Sequence, residues 1–194
     1  MSTDSAVGDH PIRLIANDDL HRSRLTVFFR ILLVIPHAIV LYVLAFVVSL
    51  FVLVAWIVGI FMGRVPDALH DFMAWYVRYQ TRVTAYVLML SNPFPPFGGG
   101  GTYPVDVEIA PAAKQSRLTI FFRLLLAIPA LILAWVFILG LEIVAFFGWI
   151  VGVITARMPA GLENLGIYCL RWETQTRAYT MLLTGRYPSL EGVS

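Results

Sequence analysis

The sequence predicts an all-α integral membrane fold of two direct repeats, each an apolar helical hairpin plus an interfacial amphipathic helix, with short cytoplasmic strands. Three observations carry this expectation. Of the 194 residues 59% are hydrophobic and 13% charged, against roughly 25% charged in soluble domains, and a water-soluble fold this small cannot hide so much apolar surface. The charges are also segregated, since Ile31 to Gly63 holds no Asp, Glu, Lys or Arg and Leu124 to Ala156 holds only Glu142. Finally, the chain aligns with itself.

A shift of 93 residues lays Pro11 on Pro104, Arg24 on Arg117, Arg30 on Arg123, Trp56 on Trp149, Arg64 on Arg157, Arg78 on Arg171 and Tyr86 on Tyr179, without a gap. The stretch from Arg24 to Arg30 nearly repeats from Arg117 to Arg123, which marks an internal duplication. The organisation follows: a tail over 1–9, a membrane repeat over 10–97, a Gly-rich linker over 98–102, a second repeat over 103–190 and a tail over 191–194. The linker glycines lack the Lys-Ser or Lys-Thr that a phosphate loop requires. The first twenty residues have no apolar core of a signal peptide, so none is expected to be removed.

Tyr-Pro-Val at 103–105, the run of apolar residues after Arg123 that ends at Pro129, Arg-x-Pro at 157–159 and Gly-Arg-Tyr-Pro at 185–188 together carry a family likeness. The chain resembles a tandem pair of the bacterial domain-of-unknown-function family 4389. The first copy departs from the pattern at its end, where Ser91 to Phe97 replaces the Arg-Tyr-Pro form. The resemblance implies a membrane location and a repeat boundary, and no activity. The expected location is therefore a bacterial cytoplasmic (inner) membrane, multi-pass, with both termini cytoplasmic.

A spanning helix needs about 20 residues, and each apolar run is nearly long enough for two short crossings. Every Lys and Arg lies outside the two runs, so a hairpin places all of them on the cytoplasmic side, as the positive-inside bias requires. Glu142, opposite Ser49 of the first copy, would reach water at a hairpin tip. Two direct copies also present the same chemistry to one side only if each crosses an even number of times. Four short transmembrane helices are therefore expected, and the alternative is a hairpin that dips in and returns by the same face.

Small residues recur every four positions at Ala55, Gly59 and Gly63, and again at Gly148, Gly152 and Ala156. Such a stripe lets helices approach closely in lipid, and these two arms are expected to cross near a pseudo-twofold axis along the membrane normal. Next come amphipathic segments. Asp67, Asp71, Arg78 and Arg82 share one face of the first, and Asn164, Arg171 and Gln175 share the matching face of the second, so both are expected to lie in the interface. Val105, Val107 and Ile109 alternate with Asp106 and Glu108, and pairing with Ile12 and Leu14 would set Arg13 against one of those acids. Unordered surface peptide is the equal alternative.

The repeated arginines, Arg24, Arg30, Arg64 and Arg78 with Arg117, Arg123, Arg157 and Arg171, are expected to anchor helix ends, and more specifically to bind anionic lipid headgroups through their planar forks. His10, His21, His37 and His70 are scattered without metal-ligand spacing, and Cys169 is the only cysteine, so neither a metal nor another cofactor is expected. No nucleophile motif is present, and the net charge of +2 gives no reason to expect nucleic acid. The sequence thus points to a non-enzymatic membrane scaffold or accessory subunit whose partners are membrane lipid and either a membrane protein or a further copy of itself. A small transporter or channel component built from parallel repeats is the alternative.

Overall fold

The computed structural model describes residues 10–16 and 24–190. In chain order they form β1 (Ile12–Ala16), α1 (Arg24–Met62), α2 (Asp67–Val87), a 3-10 turn (Phe97–Gly99), β2 (Val105–Ile109), the short α3 (Arg117–Phe121), α4 (Arg123–Thr155) and α5 (Ala160–Thr180). The tails expected over 1–9 and 191–194 lie outside the described residues.

The apolar runs are not hairpins. α1 continues for 39 residues through Pro36 and Ser49, and α4 for 33 residues through Pro129, Gly140 and Glu142. Neither expected turn holds a residue that ends a helix. The Ser49 hydroxyl is already bonded to the Phe46 carbonyl at 2.7 Å, and a lone glycine such as Gly140 costs a helix only about 1 kcal/mol relative to alanine. A turn among apolar neighbours would instead orphan several carbonyls and N–H groups. Glu142 is therefore an exposed residue midway along α4, not the tip of a loop. Both helices stop at a left-handed residue, Gly63 at φ 70° and Ala156 at φ 59°, whose N–H closes on Gly59 O at 2.8 Å and on Gly152 O at 2.9 Å.

The amphipathic segments do form helices, each opening just after a proline, Pro66 or Pro159. They are not surface helices. Over half of α2 is buried, including Arg82 on the face expected to meet water, because the ribbon of β1 and β2 covers that face. β1 and β2 pair antiparallel with Arg13 opposite Glu108, the pairing of unlike charges that the alternation allows. The ribbon packs on α2 and α5, while α1 packs on α2 and α4 on α5, which gives three layers: ribbon, α2 with α5, and the two long helices.

Contacts recur in pairs related by the 93-residue shift. A Cβ on Gly59 would stand 3.3 Å from Ile120, and one on Gly152 would stand 3.6 Å from Val27, the counterpart of Ile120. Thr81 meets its own counterpart Thr174, hydroxyl to hydroxyl at 3.3 Å, and Leu14 opposes its own counterpart Val107 in the ribbon. A pseudo-twofold axis therefore passes through the ribbon and between α2 and α5. Since the trailing end of α1 meets the leading end of the second copy and the reverse, α1 and α4 run antiparallel, with the axis perpendicular to them.

The small-residue arms accordingly do not cross each other. Gly59 and Gly152 each receive a β-branched side chain from the leading end of the other copy, and Trp56 closes the first of these contacts by donating to Ile120 O at 2.9 Å. Gly59→Leu is expected to lower the melting temperature in detergent markedly, since the added side chain must displace Ile120 from a buried joint. Val54→Leu, on the exposed face of the same turn region, is the control, and an equal loss there would show that the joint carries no special constraint.

Candidate functional site

The repeated arginines divide into buried and exposed sets. Arg30 and Arg123 are each 1% exposed, and each guanidinium lies over a tyrosine ring of the helix that follows, Arg30 at 4.2 Å from the Tyr86 centroid and Arg123 at 4.1 Å from that of Tyr179. Each also donates to carbonyls at that helix's end: Arg30 to Tyr86 O and to Ser91 O at 3.1 Å, and Arg123 to Thr184 O at 3.0 Å. Gln115 Oε1 accepts a further bond from Arg123. The ring face and the C-terminal carbonyls both present negative potential, so a cation fits there.

The carbonyls are aimed by an unusual turn. Met89 and its counterpart Leu182 both hold φ at 63°, a left-handed conformation that costs an ordinary side chain about 1–2 kcal/mol. That the strain recurs at equivalent positions ties it to the clasp it serves. Arg30 and Arg123 thus fasten the end of the second helix to the start of the first, and neither guanidinium is presented to a headgroup.

A second buried cation breaks the symmetry. Arg82, 2% exposed, grips Asp106 with two bonds, Nε to Oδ1 at 3.1 Å and Nη2 to Oδ2 at 2.7 Å, and donates to Gly100 O and Gly101 O at 3.0 and 2.9 Å. Its counterpart is Gln175, which donates to Ile12 O at 3.2 Å and accepts from Ser189 N at 3.0 Å. Arg78 donates to Val107 O at 3.2 Å and stands 3.8 Å from Asp106, and Arg171 is buried with its guanidinium 5.5 Å from the Tyr168 centroid. On the ribbon, burial holds the His10 imidazole below its usual range against two favourable backbone contacts, at Ile12 and Tyr187.

The end of the first repeat and the start of the linker over 98–102 are held by contacts with α1 and α2. Trp75 donates to Gly98 O, Tyr103 to Pro93 O at 2.7 Å, and Phe97 stacks on the buried His37 at 4.2 Å between centroids, with Phe94 at 4.7 Å and the Tyr79 hydroxyl 2.6 Å from His37 Nδ1. His37 thus holds the end of the first repeat, through Phe94 and Phe97, against α1.

The exposed cations gather at the joints. Gly63 O accepts from Gln115 N at 2.8 Å, and a Cβ on Gly63 would stand 3.7 Å from Arg117 Nε. Arg64, whose Nη2 donates to both carboxylate oxygens of Asp67 at 2.7 and 2.8 Å, adjoins this corner, where Lys114 and Arg117 are exposed. Arg157 is exposed at the opposite corner, where the end of α4 reaches Val27. The Arg24 side chain lies outside the described residues. Among the stripe residues, Ala55 is buried, and a Cβ on Gly148 would stand 3.0 Å from Met158 and 3.7 Å from Met89.

Burial pushes the lone thiol, Cys169, up, which removes it from the reactive thiolate range. Among the described residues no group of three or more His, Cys, Asp or Glu is placed to hold a metal ion. Neither a curated protein nor a solved structure matches the chain. Residues 24–98 and 117–190, well over half of its length, match the family described as a domain of unknown function (DUF4389), and the chain belongs to that family as two tandem copies.

Proposed function

We propose that the protein is a non-enzymatic scaffold or accessory subunit of a bacterial cytoplasmic membrane, inserted by α1 and α4 and seated on anionic lipid headgroups through its exposed corner cations. One observation carries the reading. Large apolar side chains stand exposed along both long helices, among them Ile31 at 75%, Phe46 at 68%, Phe61 at 74% and Trp135 at 71%, and water does not tolerate a contiguous patch of this extent. Both helices are long and apolar enough to cross a membrane by length and composition. The charged ribbon lies in the layer farthest from them, and the corner cations Arg64, Lys114, Arg117 and Arg157 flank the apolar surface.

Chain left in the membrane pellet after alkaline carbonate washing is the expected result, and recovery in the wash would overturn insertion. Native mass spectrometry then reads the lipid. Retained anionic lipid should fall on combining Arg64→Gln, Arg117→Gln and Arg157→Gln, since juxtamembrane cations contribute about 1 kcal/mol each toward anionic surfaces. Unchanged occupancy would leave these cations as anchors without lipid selectivity.

A further inference from the structure

Resting on the membrane reading above, the geometry points to a one-sided protein: we infer that α1 and α4 both enter and leave through the same face of the bilayer, so that the lipid leaflet of that face is the partner of their outer surface and the chain makes no complete crossing. α1 and α4 run antiparallel and are exchanged by a pseudo-twofold through Thr81 and Thr174 and through Leu14 and Val107. Two placements respect that symmetry. If each helix crossed once, the two would cross in opposite directions, and the axis would lie in the membrane plane.

The ribbon lies on the axis. A single crossing by each helix would therefore hold it at the level of the bilayer centre, with Arg13 and Glu108 exposed there. An ionised side chain at that depth costs about 2.5–3.5 kcal/mol on insertion scales.

The second placement sets the axis along the membrane normal. The ribbon then stands in water, α2 and α5 lie beneath it, and α1 and α4 form the layer that meets lipid. Both ends of each long helix come to the same depth, and so do both cationic corners, Arg64 with Lys114 and Arg117 at one and Arg157 at the other. Headgroup phosphates of one leaflet can then meet all of these cations at once. Helix length agrees. From Ile31 to Gly63 α1 is free of charge and about 50 Å long at 1.5 Å per residue, so fitting it across about 30 Å of hydrocarbon would need a tilt of more than about 50°, beyond the usual range. Lying within one leaflet needs no such tilt.

Sidedness tests this. With Cys169→Ser as background, Lys114→Cys and Arg157→Cys mark opposite ends of the antiparallel pair. Sealed vesicles of each orientation are treated with a membrane-impermeant maleimide before and after permeabilisation. Both positions are expected to react from the same side, fully in one vesicle orientation and only after permeabilisation in the other. Reaction from opposite sides would overturn the inference. Should either substitution prevent insertion, Met62→Cys and Thr155→Cys mark the equivalent trailing ends of α1 and α4, and the same two outcomes decide. Carbonate washing of the unmodified chain is read separately, so that loss from the membrane refutes insertion itself, whereas retention with opposite sidedness refutes only the one-sided placement.

Discussion

Arg30→Ala and Arg123→Ala are each expected to cost about 3 kcal/mol of folding stability, and together about twice that. Each guanidinium is buried over a tyrosine ring and bonded to the carbonyl that a left-handed turn delivers, Ser91 O in one copy and Thr184 O in the other. Removing the side chain leaves those carbonyls unpaired, opens a cavity beside Tyr86 or Tyr179, and leaves the strain at Met89 or Leu182 without its return. Lysine keeps the charge but cannot spread a planar face over the ring while reaching two acceptors, so Arg→Lys should recover only part of the loss. Near-additivity is expected because the two clasps belong to different copies and bond to different acceptors, Tyr86 O and Ser91 O in one and Thr184 O and Gln115 Oε1 in the other. Chemical or thermal denaturation in detergent reads this directly. Stability unchanged by Arg123→Ala would return that arginine to the role of a surface anchor.

These clasps also mark the limit of what the sequence discloses. The shift of 93 made the duplication legible, and with it the paired positions of Arg30 with Arg123 and of Tyr86 with Tyr179. It could not show that arginine and tyrosine meet, since 56 residues separate them and the contact forms only because the second helix folds back along the first. An arginine at the edge of an apolar run has the same local signature whether it reaches outward to phosphate or inward to a helix end. Arg64, Arg117 and Arg157 differ from Arg30 and Arg123 only in the tertiary neighbours they find.

The hairpin expectation failed for a related reason. Length and charge placement favour a reading in which both ends of each apolar run share a side, but they do not say how the chain returns. An unbroken helix lying in one leaflet meets the same requirement as a hairpin, and only the absence of a helix-ending residue near Ser49 and Glu142 separates the two. Strand alternation proved more informative. With side chains repeating every second residue, pairing through Val105, Val107 and Ile109 allows a register with Arg13 against an acid, and in the ribbon it lies opposite Glu108.

Where the copies differ, the ribbon explains why, and the difference makes the strongest test of the layer order. Asp106 and Arg13 occupy equivalent positions in the two copies, as do Arg82 and Gln175. Arg82 therefore faces a carboxylate, whereas an arginine at 175 would face the cation of Arg13. Asp106→Arg should cost about 3–5 kcal/mol, because it leaves the buried Arg82 uncompensated beside a second positive charge. Arg82→Gln alone should cost somewhat less, since Asp106 remains a quarter exposed and keeps access to water. The two changes together place at 82 and 106 the residue types that the other copy carries at 175 and 13, glutamine and arginine, and should therefore be less damaging than Asp106→Arg alone. A double-mutant cycle on denaturation free energy in detergent measures the coupling, expected to favour the double variant by 1 kcal/mol or more on the scale of contacting charged residues. Simple additivity of the two losses would mean that Arg82 and Asp106 do not act as a pair, and that α2 does not depend on the ribbon for the charge it buries.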